Sequence, residues 1–191
     1  MIPAQIQALE RVRRRAEDAF VDARARIASA LDRAAQGPRV GEAIARHARE
    51  GARLTINFHP DRPSAEGRTV VESLLVNGQY RSQFVTGISN GSRTAFAGGE
   101  RDRWEETLFG GAYHDPSSLA DERPRYGGLD LMAHADGACP RFGSCYFELR
   151  PHVIARSTFT WRDWGTPEEA SQHLKQIWHV LVRFGRAARI A

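Results

Sequence analysis

The sequence predicts an α+β fold, because helical and strand periodicities occupy separate parts of the chain. Near both ends apolar residues recur every three or four positions, the period of an amphipathic helix. Between them, short stretches alternate apolar and polar residues, the period of a half-buried strand. The predicted organisation is an N-terminal helical segment, residues 1–51, followed by an α+β ligand-binding domain, residues 52–191, that ends in a helix.

Composition indicates an ordinary globular protein. Of the 191 residues 41% are apolar and 26% are charged, with a formal net charge of +4. The N-terminus has no signal-peptide pattern, and no stretch approaches the roughly 18 apolar residues that a membrane span requires. The two cysteines, Cys139 and Cys145, are too few for a disulfide framework and are expected to be reduced thiols. We therefore expect a cytoplasmic protein with no membrane partner.

The first predicted element is one long helix from Ala4 to Ala35. Its apolar stripe comprises Ile6, Leu9, Val12, Ala16, Phe20, Ala23, Ile27 and Leu31. Gly37-Pro38 ends it, and a shorter helix is predicted from Val40 to Glu50. A stripe of this kind packs either on its own domain or on a second copy, so a homodimer through the N-terminal helix is one expectation.

The first strand is predicted at Arg53 to Phe58, where Leu54, Ile56 and Phe58 share one face. The polar cluster His59-Pro60-Asp61-Arg62 follows directly. Side chains at a strand end are held rigidly and stay accessible, so His59 and Arg62 are candidate ligand residues. The alternative is a capped strand end with no ligand.

A second polar motif follows a short helix. Thr69 and Glu72 form a capping box, and Asn77-Gly78 ends the helix. The chain is then predicted to be extended from Tyr80 to Phe84. Polar side chains and glycines between Tyr80 and Gly91 can hold a phosphate, and the candidates are Arg81, Ser82, Gln83, Ser89 and Asn90. A plain glycine turn is the alternative.

The remaining chain is predicted as a glycine-rich irregular region, further strands and a last helix. Thr86 to Tyr113 is expected to hold about one helical turn, around Trp104 to Leu108. Strands are predicted at Gly128 to His134, Ser144 to Leu149 and Ile154 to Thr160. The last helix begins at the Thr166 cap, and its stripe is Leu174, Ile177, Trp178 and Leu181.

A third motif is Pro140-Arg141-Phe142-Gly143-Ser144-Cys145-Tyr146-Phe147. Phe142 and Tyr146 flank small residues, so an aromatic face could lie against a planar ligand. Packing of Phe142 in the core is the alternative. Tyr146 is the stronger candidate, because its hydroxyl makes it poorer core material than phenylalanine.

Five motifs in order resemble the bacterial family of unknown function DUF3626. They lie between Arg53 and Thr160: Leu54–Arg62, Tyr80–Phe84, Gly87–Gly91, Phe109–Tyr113 and Pro140–Phe147. The family name carries no established activity.

Three of these segments also resemble the ADP-ribosyltransferase superfamily: Phe58-His59, Leu74–Gly78 and Phe142–Phe147. The resemblance implies a split, mixed or antiparallel β-sheet core that clamps NAD as substrate. It implies that His59 holds a ribose, that Tyr146 stacks on nicotinamide as the second catalytic residue, and that Arg81 and Ser82 lie at the pyrophosphate. ADP-ribose would pass to an acceptor, protein or nucleic acid, that the sequence leaves unknown.

Two departures from that superfamily matter. Pro60 stands where many members have a glycine, and proline has no N–H to offer the nicotinamide. No late strand carries an evident catalytic glutamate, so a truncated or inactive transferase is also expected. A metal-dependent hydrolase or nuclease using His59 and Asp61 is the first alternative. The main prediction, an NAD-binding domain, assigns no metal site. A non-catalytic binding module is the second.

Overall fold

The computed structural model describes residues 2–64, 67–87, 95–160 and 179–182, and its architecture is α+β. In these residues three helices precede an antiparallel sheet, and three further helices lie between its first two strands. The candidate residues Ser89 and Asn90 lie outside the described residues. So does most of the predicted last helix.

The N-terminal region forms three helices: α1 (Pro3–Asp18), α2 (Phe20–Arg33) and α3 (Pro38–Glu50). The prediction of one helix from Ala4 to Ala35 is wrong, because Ala19 interrupts it with ψ near −1°. The two halves have different packing partners. The α1 helix packs on α6 (Glu100–Phe109) through Ala8, and α2 packs on α3 where Leu31 meets Gly41.

Contacts cross the predicted boundary at residue 51. His47 on α3 makes a 2.7 Å hydrogen bond with the backbone oxygen of Leu131, and Arg15 reaches the backbone oxygen of Thr107. The division into two segments stays a prediction. Dimerisation through the N-terminal helix also stays a prediction, and α2 exposes Phe20 and Ile27.

The sheet has the strand order β3-β1-β2-β5-β4, and its described strands all pair in the antiparallel sense. The strands are β1 (Arg53–Phe58), β2 (Arg125–Asp130), β3 (Cys145–Leu149), β4 (Ser157–Thr160) and β5 (His179–Val182). In the described residues the sheet is therefore single and antiparallel, neither split nor mixed.

The register of β1 places alternate side chains on opposite faces. Leu54 pairs with Leu129 and Leu149, and these residues pack with Val153 as the main apolar core. Thr55 and Asn57 point to the other face, where both bind the loop that precedes β3. The predicted strand from Arg53 to Phe58 is confirmed.

Helix α4 (Val70–Asn77) begins and ends as the sequence predicts. The Thr69 hydroxyl accepts the Glu72 amide, the Glu72 carboxylate accepts the Thr69 amide, and Gly78 ends the helix in the left-handed conformation. The next stretch differs from the prediction. Ser82 is extended, and α5 (Gln83–Thr86) is a single helical turn capped by Gly87.

Three further predictions need correction. Helix α6 spans Glu100–Phe109, which is longer than the one turn predicted. The second strand ends at Asp130, because Asp130 accepts the amide of His134 and turns the chain. At the C-terminal end, residues 179–182 form β5 beside β2, although the sequence places Leu181 on a helix. Two antiparallel neighbours supply that segment's hydrogen bonds, and local periodicity does not reveal them.

Candidate functional site

A cleft lies beside the end of β1 and encloses about 590 Å³, part of which is open to solvent. It is bounded by the end of β1, one face of α4, the segment before α5 and α5 itself. Twelve described residues line it: Phe58, His59, Ser64, Val70, Ser73, Leu74, Asn77, Gln79, Tyr80, Arg81, Gln83 and Thr86. His59, Arg81 and Gln83 are candidates that the sequence had already indicated.

The backbone around His59 is held by its neighbour in the strand. Asn57 is buried, and its side-chain nitrogen donates to the backbone oxygens of Asp136 and Gly143 at 2.8 and 3.2 Å. Its side-chain oxygen accepts the Cys139 amide at 3.1 Å. One buried side chain thus joins β1 to both ends of the 136–143 loop, and fixes the strand end from which His59 extends.

The floor of the cleft is aromatic. The Phe58 and Phe147 rings stack with centroids 4.8 Å apart, and the Tyr80 ring meets both at 6.4 and 6.0 Å. Burial raises the pKa of Tyr80 to about 12. Of these three rings, Phe58 and Tyr80 line the cleft.

One face of α4 forms the second wall. Val70, Ser73, Leu74 and Asn77 follow the spacing i, i+3, i+4, i+7 and all line the cleft. Sequence reasoning missed Ser73 and Asn77. The signal that could have found them is a serine on the same helical stripe as Val70 and Leu74, where an apolar residue is expected.

In the segment from Arg81 to Gln83, two side chains line the cleft and the middle one is buried in the protein interior. Arg81 lines the cleft and also donates to Asn77 at 3.4 Å. Ser82 is turned away and fully buried, and its hydroxyl donates to the backbone oxygen of Ala120 at 2.7 Å. Ser82 therefore anchors this wall, and Gln83 lines the cleft.

Two buried arginines, Arg123 and Arg125, contact the same wall from the protein interior. Arg125 donates to the backbone oxygen of Tyr80 at 3.1 Å and to the Asp121 carboxylate at 2.5 Å. The Arg123 guanidinium lies 4.0 Å from the centre of the Phe84 ring. The guanidinium groups of two buried arginines thus support the backbone that carries Arg81 and Gln83.

Arg123 also belongs to a buried ionic cluster with α6. It lies 2.5 Å from Asp102 and 3.0 Å from Glu105, whose carboxylate also accepts the Tyr126 hydroxyl. His114 lies 3.0 Å from Asp102. Burial raises the pKa of Glu105 to about 7, and Tyr126 and Arg123 oppose the shift only in part. At Asp102 the Gly98 amide and Arg123 outweigh burial, and its pKa is lowered.

The structure does not bring Tyr146 or Phe142 into the lining of the cleft. Tyr146 follows Cys145 and precedes Phe147 on β3, so it points to the sheet face opposite the Phe58–Phe147 stack. Its ring lies against Gly137. Phe142 ends a 3₁₀ turn, with the Arg141 guanidinium 4.4 Å from its ring centre. Tyr146 therefore lies on the sheet face opposite the Phe58 ring, and it does not line the cleft that His59 lines.

The candidates Asp61 and Arg62 do not line the cleft. Asp61 and Arg62 are exposed in the turn after His59, which is closed by the backbone bond from the Val70 amide to Arg62. Within the described ranges, no group of three or more His, Cys, Asp or Glu side chains is arranged to hold a metal ion. Both cysteines, Cys139 and Cys145, are free thiols.

The family model described as a protein of unknown function, DUF3626, matches residues 53–163, more than half of the 191-residue chain. The chain belongs to the DUF3626 family. The matched segment of this DUF3626 protein contains every described residue that lines the cleft. No curated protein matches the chain. In the described part of this family member, no helix has the length and apolarity needed to cross a membrane.

Proposed function

We propose that the cleft beside His59 binds a phosphate-bearing ligand of the nucleotide type, and that NAD is such a ligand. The observation that carries the proposal is the charge of the lining. Arg81 contributes a guanidinium and His59 an imidazole, whereas none of the twelve described lining residues is acidic. A guanidinium is well suited to a pyrophosphate, because its planar donors can form two parallel hydrogen bonds.

The shape and surface of the cleft support a nucleotide rather than a bare anion. The cleft is concave, and its empty space of about 590 Å³ includes a part that is open to solvent. Phe58, Leu74 and Tyr80 provide an apolar floor, and polar side chains stand around it. A ligand with a flat apolar ring and a charged end matches both parts.

Transfer of ADP-ribose is a separate step that the motif resemblance implies. It requires electrostatic stabilisation of a developing positive charge, which a carboxylate supplies in that superfamily. The described lining contains no carboxylate, and Tyr146 is not part of it. We therefore limit the proposal to NAD binding and expect nicotinamide release to be absent when NAD is bound in this cleft.

A metal-dependent hydrolase is the alternative that His59 and Asp61 suggested. In the described residues these two side chains have no third acidic, histidine or cysteine partner for a metal ion. Elemental analysis of the purified protein separates the two proposals, because a hydrolase of this kind retains a stoichiometric metal.

The experiment is a calorimetric titration of NAD and of inorganic pyrophosphate into wild-type protein and the variants Arg81→Met and His59→Ala. Loss of a charge-assisted contact costs about 1.5–3 kcal/mol, so Arg81→Met is expected to weaken both ligands about 10- to 100-fold. The matched control is Arg49→Met on the exposed surface of α3, which should leave both affinities unchanged. No heat of binding for either ligand with wild type would overturn the proposal.

A further inference from the structure

Three buried side-chain oxygens in the wall of the cleft have no hydrogen-bond partner. They are the hydroxyls of Ser64 and Ser73 and the Oε1 end of the Gln83 amide, and all three belong to residues that line the cleft. Buried polar atoms are almost always hydrogen-bonded, because leaving them unpaired costs the full loss of their hydration. Three such atoms at one place therefore require an explanation.

Outside these three residues, buried neutral atoms without a hydrogen-bond partner are rare in the described part of the chain. In the described residues only one further buried hydroxyl or amide atom lacks a hydrogen-bond partner, the hydroxyl of Thr158 on β4. Arg53 and Asp102, two of the charged groups in the same condition, lie within ion-pair distance of an opposite charge. Unpaired neutral oxygens in the described residues are thus concentrated on residues that line the cleft.

The chemistry of these oxygens defines what can satisfy them. An amide oxygen only accepts hydrogen bonds, and a fully ionised phosphate oxygen also only accepts them. A phosphate held by Arg81 therefore cannot pair with Gln83 Oε1. A sugar hydroxyl can, because it donates one hydrogen bond and accepts others, and it can pair with the two serine hydroxyls in either direction.

We propose that Ser64, Ser73 and Gln83 form a subsite for the neutral, hydroxyl-bearing sugar of a phosphorylated ligand, separate from the anion-binding contacts of His59 and Arg81. This proposal rests on the proposed function of the cleft and assigns the part of the ligand that each wall contacts. It makes the sugar, and not the phosphate alone, a determinant of affinity.

The test compares three probes by calorimetry: inorganic pyrophosphate, adenosine diphosphate and 2′,3′-dideoxyadenosine diphosphate. The two nucleotides share the base and the charge and differ only in the sugar hydroxyls. Wild type is expected to bind the diphosphate with hydroxyls at least 10-fold more tightly than the dideoxy form. Ser73→Ala and Gln83→Met should remove most of that difference and leave the affinity for pyrophosphate unchanged.

Failure of this inference can be distinguished from failure of the proposed function. If wild type binds pyrophosphate and both nucleotides but does not discriminate between the nucleotides, the sugar subsite is wrong and anion binding stands. If wild type binds none of the three probes, the proposed function fails and this inference fails with it.

Thermal stability without ligand provides a second readout. The Ser73 hydroxyl has no hydrogen-bond partner to lose, and alanine favours a helix more than serine does. The melting temperature of Ser73→Ala should therefore be unchanged or raised by about 1–2 °C. The control is Ser157→Ala, whose half-buried hydroxyl donates to Val153 at 2.9 Å and lies outside the cleft lining. It should lower the melting temperature and leave all affinities unchanged. A fall for Ser73→Ala equal to that of the control would overturn the proposal.

Discussion

Gly143 lies against the end of strand β1 so closely that a Cβ atom there would stand 1.9 Å from the carbonyl carbon of Phe58. The same atom would lie 2.5 Å from the backbone nitrogen of His59. The φ angle of Gly143 is 144°, a conformation that residues with side chains rarely adopt. Gly143 therefore allows the loop before β3 to reach the strand end that carries His59.

The first prediction concerns this contact. Gly143→Ala forces backbone atoms apart and should lower the free energy of unfolding by about 2–4 kcal/mol, because overpacking and left-handed strain add. Urea unfolding measures the change. The control is Gly111→Ala, which has a φ of 75° but no atom within 4 Å of the added Cβ, and it should cost only about 1 kcal/mol. Equal losses in the two variants would contradict the proposed close approach.

The second prediction concerns Asn57. Asn57→Leu removes three hydrogen bonds to the 136–143 loop and leaves the Cys139 amide without its acceptor. The free energy of unfolding should fall by about 2–4 kcal/mol, since buried backbone groups lose their partners. Hydrogen exchange at the Cys139 amide should accelerate in native conditions. Unchanged exchange at this amide would show that Asn57 does not hold the loop.

The third prediction is a pH dependence of stability that originates at Glu105. Its usual pKa is 4.5, and burial raises it to about 7 in the folded protein. Between these values the folded protein holds a proton that the unfolded chain has released, so the free energy of unfolding falls as pH rises through this window. The contribution is fully present below pH 4.5, and about 3 kcal/mol of it is lost by pH 8.

Glu105→Gln should remove this slope. Denaturant unfolding between pH 4.5 and 8 should show that wild type loses stability relative to the variant as pH rises. The matched control is Glu106→Gln, one residue further along α6 and exposed, and it should keep the wild-type slope. Identical slopes for Glu105→Gln and wild type would refute the assignment to this carboxyl group.

The fourth prediction concerns Arg125, which is buried and donates to Tyr80, Asp121 and Arg123. Arg125→Lys keeps the charge but offers a single compact ammonium, which cannot reach all of these oxygens. The free energy of unfolding should fall by about 2–4 kcal/mol, and urea unfolding would measure it. Affinity for NAD should also fall, because the Tyr80–Arg81 backbone loses its support. A wild-type affinity in a folded variant would contradict this positioning role.

Local signals predicted the elements that need only neighbours in sequence. The alternation of Arg53 to Phe58 predicted β1, and the Thr69–Glu72 pair predicted the start of α4. Gly78 predicted its end, since the left-handed cap favours glycine. His59, Arg81 and Gln83 were found as candidates because polar residues beside a strand end or a glycine turn are visible without a structure.

The features that the sequence did not predict depend on contacts distant in the chain. Residues 179–182 are a strand because β2 and β4 pair with them, which no local period reveals. Tyr146 points away from Phe58 and Phe147 because side chains alternate along β3, and the phase of that alternation follows from the pairing of β3 with β1. Ser73 is part of the cleft because of how α4 is oriented against Phe58 and Tyr80. Position on a helix alone does not determine that orientation.

The most direct test of the account asks where NAD binds. Wild-type protein with ¹³C-labelled histidine and tyrosine rings is titrated with NAD and followed by NMR, with His59→Gln, Tyr80→Phe and Tyr146→Phe used to assign the signals. A ligand in the cleft should shift the ring signals of His59 and Tyr80 and leave that of Tyr146 unchanged, because Tyr146 does not line the cleft. A shift of Tyr146 without a shift of His59 would contradict the cleft as the site.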